Sequence, residues 1–204
     1  MFYHYVSGKE KNTRYGVGMV VKTSVKADFT AINDRICKIQ IETETSNQKI
    51  IIISAYAPTE EVSKRNSQLR EQFYDTLEQV IRSISVNDLL VIGGDFNAKT
   101  GTGYNQYRRN MGKYGKGKIS DNGYELLDMC NRNDLILTNT IFKHKMAHRT
   151  TWQAPENPTQ MHHDGNLRKN PVRNQIDYVI VRRTIIKQVT NSRSYSVTKS
   201  DHTI

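Results

Sequence analysis

The sequence predicts an α/β protein, because runs with the apolar pattern of strands alternate with runs whose apolar residues recur every three or four positions. Its 204 residues fit a single domain spanning residues 1–204 with a sizeable core. No fixed-period repeat is visible, and no apolar run approaches the roughly 20 residues needed to cross a bilayer. Repeat proteins and membrane proteins are therefore excluded.

The first half of the chain predicts three strands and a long helix. The strands fall at residues 15–21, 35–42 and 49–56, and the last is a nearly continuous apolar run, typical of a strand buried on both faces. Pro58 has no backbone N–H to donate and ends that strand. Residues 63–84 predict a helix, since apolar residues at spacings of three and four share one face. These residues are Leu69, Phe73, Leu77, Val80, Ile81 and Ile84.

The second half predicts another buried strand, at residues 88–93, followed by Gly94-Asp95-Phe96-Asn97 at the strand end, where chemistry often occurs in such sheets. A basic, glycine-rich segment covers residues 99–118. Ser120 is expected to cap a helix that continues through Cys130. Further strands are predicted at 135–138, 150–153 and 175–181, and a long exposed loop at 154–174.

The charge of the chain favours a polyanionic partner. It has 30 Lys and Arg against 20 Asp and Glu, a net charge of +10, although charge that serves only solubility is equally compatible. Cys37 and Cys130 form neither a metal quartet nor a disulfide framework, and the N-terminus has no cationic leader before an apolar stretch. We therefore expect an intracellular protein, and we place it in the nucleus.

Polar residues recur at the predicted strand ends, and their combination is more informative than any one of them. They are Tyr56 before Pro58, Asp95 with Asn97, Asp177 within an apolar strand, and Asp201 with His202. An Asp and an Asn two residues apart can simply cap backbone amides in a turn. Asp177 between apolar neighbours needs a partner to offset its desolvation. A histidine is a fitting partner for this carboxylate, because a carboxylate that binds one imidazole nitrogen raises the basicity of the other.

Four short motifs in this order resemble those of the endonuclease/exonuclease/phosphatase superfamily, which includes DNase I and the apurinic-site endonucleases. They are residues 56–58 (Tyr-Ala-Pro), 93–97 (Gly-Gly-Asp-Phe-Asn), 175–178 (Gln-Ile-Asp-Tyr) and 200–202 (Ser-Asp-His). Residues 122–127, 137–142 and 151–152 are similar to the reverse-transcriptase-associated endonuclease domain of non-LTR retrotransposons, and to host proteins derived from it. The resemblance implies a four-layer α/β/β/α sandwich that cleaves phosphodiester bonds with a divalent metal.

The resemblance also implies catalytic roles. Asp95 would hold or activate the attacking water, and Asn97 would orient it or touch the phosphate. His202, oriented by Asp177, would bind the scissile phosphate or act as acid and base. Tyr56 would contact the phosphate or stabilise the leaving group. We expect these side chains to converge in one cleft, because phosphoryl transfer depends chiefly on positioning and charge neutralisation.

Metal and substrate contacts are implied in the same way. Asp201 would contribute to a magnesium or manganese site, while Thr151 and Asn174 would support the substrate phosphate. The family's first strands, which carry an Asn and a metal-binding Glu, would precede Met1, and the domain is expected to be clipped after Ile204. The resemblance therefore implies an incomplete fold with a weakly bound metal.

The basic segment predicts DNA contacts, since cations interleaved with tyrosines suit phosphates and bases. The cations are Arg108, Arg109, Lys113, Lys116 and Lys118. A solvated loop is the alternative interpretation.

Two functions fit the sequence. The first is an endonuclease that nicks duplex DNA, and the alternative is a catalytically inactive remnant that binds DNA or protein. A lipid or sugar phosphatase is disfavoured by the positive charge and by the retrotransposon-like residues. We expect a monomer with DNA as its partner, without a small-molecule cofactor or membrane attachment.

Overall fold

The structure is a computed structural model that describes residues 1–8, 16–43, 47–154 and 172–195. The strands in chain order are β1 (Phe2–Ser7), β2 (Val17–Lys22), β3 (Ala27–Ala31), β4 (Ile36–Glu42), β5 (Lys49–Tyr56), β6 (Leu89–Asp95), β7 (Leu135–Leu137), β8 (Trp152–Gln153), β9 (Arg173–Asn174) and β10 (Asp177–Arg182). The helices are α1 (Glu60–Arg65), α2 (Ser67–Arg82), α3 (Tyr104–Tyr107) and α4 (Asp121–Arg132). Short 3₁₀ turns occur at Thr138–Thr140, Met146–Arg149 and Arg183–Gln188.

Six strands form a central mixed sheet in the order β3-β4-β5-β6-β10-β7. The pair β5 and β6 is parallel and is connected through α1 and α2, while the other neighbours in the sheet are antiparallel. The carboxyl ends of β5 and β6 therefore meet the amino end of β10 at one edge of the sheet. The pairs β1–β2 and β8–β9 form separate two-stranded ribbons.

One face of the central sheet is covered by helices. Alternate residues of β5 and β6, such as Ile51, Ile53, Leu90 and Ile92, are at most 3% exposed and join one cluster with the buried residues of α2 and α4. The helical residues of this cluster include Phe73, Leu77, Ile81, Leu126, Leu127 and Cys130. Apolar burial of this extent is the main stabilising contribution in a domain of this size.

The opposite face is covered in part by the β1–β2 ribbon. The rings of Tyr5 and Phe29 stack with their centroids 5.0 Å apart, and Val17 and Val21 of β2 are buried where that strand packs against β4 and β5. Farther along this face, Ile52 is half-buried and Val179 is 40% exposed. In the described part of the chain, the helical face is thus the better covered of the two.

The predicted α/β class is confirmed, and β5 has the predicted bounds. The predicted helix at 63–84 is two helices, because Asn66 adopts an extended conformation and its side chain accepts the N–H of Gln68 to cap α2. Ser120 caps α4 as expected, accepting the N–H of Gly123. None of the helices in the described ranges is long and apolar enough to cross a membrane.

Other elements also differ from the sequence prediction. The sequence predicts neither β1 nor β3, since neither has a clear apolar alternation, and the short helix α3 lies within the predicted basic segment. Arg173 and Asn174, expected in a loop, pair with β8 as β9, and a two-residue strand carries no periodic signal. The rest of the predicted loop, residues 155–171, lies outside the described residues.

A buried ion pair joins the two large helices. Glu78 of α2 is only 6% exposed. Its carboxylate accepts one hydrogen bond from Arg82, one turn later in α2 (2.7 Å), and another from the Nε of Arg132 on α4 (2.7 Å). A buried carboxylate is tolerated when it is paired and hydrogen-bonded in this way. Glu78 therefore holds α2 and α4 in a defined relative position above the sheet.

We predict that Glu78→Gln lowers the free energy of unfolding by about 1–3 kcal/mol, because it weakens two charge-assisted hydrogen bonds at a buried position. Urea unfolding followed by circular dichroism measures the loss. Glu71→Gln on an exposed position of the same helix is the matched control and should change stability by less than about 0.5 kcal/mol. Equal unfolding midpoints for the two variants would contradict the role given to Glu78.

Candidate active site

Three of the sequence-predicted residues lie side by side at the sheet edge where β5, β6 and β10 meet. Tyr56 is the register partner of Asp95, and Asp95 is the register partner of Asp177. Register partners point to the same face of a sheet with Cβ atoms about 4.5–5.5 Å apart. All three side chains are half-buried and lie on the face opposite the helices. We call Tyr56, Asp95 and Asp177 the strand-end row.

Gly94 allows β5 and β6 to approach closely next to the strand-end row. Its φ is +155°, and a Cβ at this position would lie 1.8 Å from the carbonyl oxygen of Ala55. Only glycine fits such a conformation and such a contact. The pairing extends past the strands, since the N–H of Ala57 donates to the carbonyl of Asp95 (2.9 Å) and that of Phe96 to the carbonyl of Ile176 (2.9 Å).

Asn97 organises the turn that follows Asp95. It has a φ of +45°, a left-handed conformation that asparagine tolerates better than most residues. Its N–H donates to Asp95 Oδ1 (2.7 Å), and its side-chain Nδ2 donates to the carbonyl of Ala57 (2.9 Å). These bonds orient the Asp95 carboxylate and join the ends of β5 and β6, so Oδ1 is the side-chain atom through which Asn97 can contact water or phosphate.

Thr151 lies behind Asp177 and holds the start of β10. It is 3% exposed, and its Oγ1 accepts the N–H groups of Ile176 (3.0 Å) and Asp177 (3.1 Å). Its own N–H donates to the carbonyl of Asn174 (2.9 Å), which is half-buried beside it. In this position, Thr151 fixes the backbone from which the Asp177 side chain projects.

The opposite side of β10 is anchored by Tyr178. Its hydroxyl lies within hydrogen-bond distance of the carbonyls of Gln175 (2.9 Å) and Ala98 (3.1 Å), which share its single proton, and 3.2 Å from Thr100 Oγ1. Burial raises the pKa of Tyr178 well above its usual value, so the phenol stays neutral. The Asp95 turn and the Asp177 strand are thereby joined on the core side as well.

Arg35 is a residue at this edge that the sequence prediction missed. It directly precedes β4, and its NH1 donates to the carbonyl of Tyr56 (3.1 Å) while its guanidinium carbon lies 5.4 Å from the Tyr56 ring centroid. The N–H of Tyr56 donates in turn to the Arg35 carbonyl (2.9 Å). No sequence signal distinguishes Arg35 from the other cations, because only the register of β4 and β5 brings it to Tyr56.

The structure separates the predicted basic strip. Arg109 pairs with Asp134 (3.6 Å) just before β7, at the end of the sheet away from Asp177. Lys116 instead donates to Thr150 Oγ1 (3.0 Å), next to Thr151. Arg108, Lys113 and Lys118 are exposed. Asp201 and His202 lie outside the described residues, so their proposed roles stay predictions.

The chemistry of the strand-end row suits a magnesium or manganese ion. Mg²⁺ prefers hard oxygen ligands and is commonly held by one or two carboxylates, with water completing the shell. Asp95 and Asp177 provide two carboxylates on neighbouring strands. Within the described ranges, no group of three or more His, Cys, Asp or Glu side chains is assembled to hold a metal.

Comparison with solved structures shows that the chain has a DNase I-like fold, which confirms the fold implied by its sequence motifs. The endonuclease domain of TRAS1, a telomere-specific non-LTR retrotransposon, superposes with a TM-score of 0.68 over 99% of this chain and 77% of its own, at 13% identity. The 3′ phosphatase NExo from Neisseria, bound to a product DNA hairpin, gives a TM-score of 0.62 over 99% of this chain and 77% of its own, at 16% identity.

TDP2 from D. rerio, complexed with a single-strand DNA product, gives a TM-score of 0.53 over 89% of this chain and 62% of its own, at 14% identity. Among curated proteins, the chain is 28% identical to craniofacial development protein 2 from Bos taurus over 195 residues, and 27% identical to that from Tragulus javanicus. The match covers 94% of this chain and 30% of either relative. No family model matches.

We predict that Gly94→Ala lowers the free energy of unfolding by about 3 kcal/mol or more, because the new methyl group overlaps the Ala55 carbonyl and the backbone conformation is strained. Gly93→Ala is the matched control, since a Cβ there meets no described atom within 4 Å. We expect it to cost less than about 1 kcal/mol. Urea unfolding compares the two variants, and a similar loss for both would contradict the close approach at Gly94.

We predict that Thr151→Val destabilises the fold by about 1–3 kcal/mol, because the N–H groups of Ile176 and Asp177 lose their acceptor. Thr151→Ser keeps the hydroxyl and should restore most of the stability. Thermal unfolding measures this difference. A valine variant as stable as the unaltered chain would contradict this role of the Thr151 hydroxyl.

Proposed function

We propose that the chain is a metal-dependent phosphodiesterase that nicks duplex DNA. The observation that carries this proposal is the strand-end row, in which a phenol and two carboxylates occupy neighbouring register positions at one sheet edge. Two solved structures of the same fold contain DNA products, which supports DNA as the substrate or partner of this chain.

The proposed reaction is hydrolysis by attack of water on phosphorus, with cleavage of one phosphorus–oxygen ester bond. Asp95 would accept the proton of the attacking water, because the Asn97 N–H fixes one of its oxygens and thereby its orientation. Tyr56 would donate a hydrogen bond from its hydroxyl to the phosphate or to the leaving oxygen, and that oxygen would take its proton from His202 or from water. The guanidinium of Arg35 next to the Tyr56 ring adds positive charge where negative charge develops.

We assign the remaining roles by position in the motif. Asp177 would orient the His202 imidazole, and His202 would contact the scissile phosphate. A magnesium or manganese ion, when bound, would neutralise charge on the phosphate. Asp201 together with carboxylate oxygens of the strand-end row would hold that ion.

We predict magnesium-dependent conversion of supercoiled plasmid to the nicked circle, abolished by chelation. Asp95→Asn and His202→Ala should each lower the rate by about 10²–10⁴-fold, the usual contribution of general acid–base groups. Asp75→Asn on an exposed position of α2 is the control and should nick at the rate of the unaltered chain.

Two outcomes would overturn this proposal. Nicking that survives Asp95→Asn would show that the strand-end row does not carry the chemistry. Duplex binding without any magnesium-dependent nicking would instead identify a DNA-binding module.

A further inference from the structure

Three cationic side chains lie on segments that meet at Thr150 and Thr151, beside the strand-end row. Lys116 donates its ammonium to Thr150 Oγ1 (3.0 Å). Arg149 precedes Thr150 and donates from NH1 to the carbonyl of Tyr114 (3.2 Å). Arg173 of β9 donates from Nε to Gln153 Oε1 (2.9 Å) across the β8–β9 ribbon. We call Lys116, Arg149 and Arg173 the cationic cluster.

In the described ranges, no acidic side chain forms an ion pair with a residue of the cationic cluster. Exposed cations such as Lys22 and Lys187 are also without an ion pair there, but Lys116 and Arg149 are half-buried. The Nε of Arg149 is buried and has no hydrogen-bond partner in those ranges. Burial, followed by the charges of Arg173 and Arg149, lowers the pKa of Lys116. Such an arrangement costs stability unless an anion is bound there.

The position of the cluster relates it to the proposed reaction. Lys116 contacts Thr150, and the next residue, Thr151, holds the backbone of Asp177. The cluster therefore lies beyond Asp177, behind the residue that positions it, and not at the row itself. An anion bound there would belong to the same substrate as the scissile phosphate but would be a different group.

We infer that the cationic cluster binds a non-scissile backbone phosphate of the DNA, at a binding site separate from the strand-end row. We call this phosphate-binding site the seat. The inference rests on the proposed function for the identity of the polyanion. Guanidinium groups present planar paired donors that match phosphate oxygens, and the Lys116 ammonium adds a point charge. Because the seat binds a single phosphate, Lys116 and Arg173 contact the same phosphate group.

Fluorescence anisotropy of a labelled duplex oligonucleotide in chelator, which prevents cleavage, tests the seat. Lys116→Gln, Arg173→Gln and the double variant are compared over a range of salt concentrations. Each single variant should weaken binding and flatten the plot of log K against log salt by up to about 0.9, the value for one lost phosphate contact. The double variant should not exceed that value, because both residues serve one phosphate.

The matched control is the double variant Lys22→Gln/Lys187→Gln, which removes the same charge from exposed positions away from the active edge. This control should leave the slope of log K against log salt unchanged. If both double variants behave alike, or if the effects of Lys116→Gln and Arg173→Gln simply add to two contacts, the single seat is refuted.

Thermal unfolding of Lys116→Gln adds a readout that a structural role would not match. The lowered pKa of Lys116 means that the folded chain binds this proton less tightly than the unfolded chain, so the charge destabilises the fold at neutral pH. Lys116→Gln should therefore weaken DNA binding without lowering the melting temperature. A lower melting temperature together with unchanged DNA binding, measured at a temperature where both chains are folded, would assign the ammonium a structural role and overturn the seat.

Failure of the seat and failure of the proposed function are distinguishable. Cluster variants that bind and nick like the control would overturn the seat alone. A chain that binds duplex through the cluster but never nicks would overturn the proposed phosphodiesterase and leave the seat supported.

Discussion

The parallel pairing of β5 with β6 is the constraint on which the strand-end row depends. Parallel strands end at the same sheet edge, so Tyr56 and Asp95 become neighbours although 39 positions separate them along the chain. Gly94 permits the close approach that this pairing requires. A slip of one residue would turn Asp95 toward the helices, so the register and the chemistry of this edge depend on the same contact.

The two faces of the central sheet differ in burial. The helical face is closely covered and contains the hydrophobic core cluster of the described residues, and Glu78 joins its two main helices through Arg82 and Arg132. The other face is less covered in the described ranges and presents the strand-end row in a half-buried position. Polar groups can reach a substrate there, while the core that fixes their backbone lies behind them.

Acidic and basic side chains occupy separate positions along the end of the sheet that carries the strand-end row. Two carboxylates lie in the middle, Arg35 lies beyond Tyr56 on one side, and the cationic cluster lies beyond Asp177 on the other. Cations that flank a carboxylate centre suit a polyanion that must be held on both sides of the reacting group. The net charge of +10 is therefore less informative than the position of each cation, since Arg109 pairs with Asp134 whereas Lys116 lies next to Thr150.

Elements whose signals are local can be predicted from the sequence alone. The apolar run of β5, the amphipathic face of α2, the Ser120 cap and the strand-end position of Asp95 all depend on near neighbours, and all were predictable. The exact register that pairs Asp177 with Asp95, the contact of Arg35 with Tyr56 and the different partners of Lys116 and Arg109 follow only from the folded structure. These contacts depend on strand register and long-range packing, which the periodicity of a single segment does not encode.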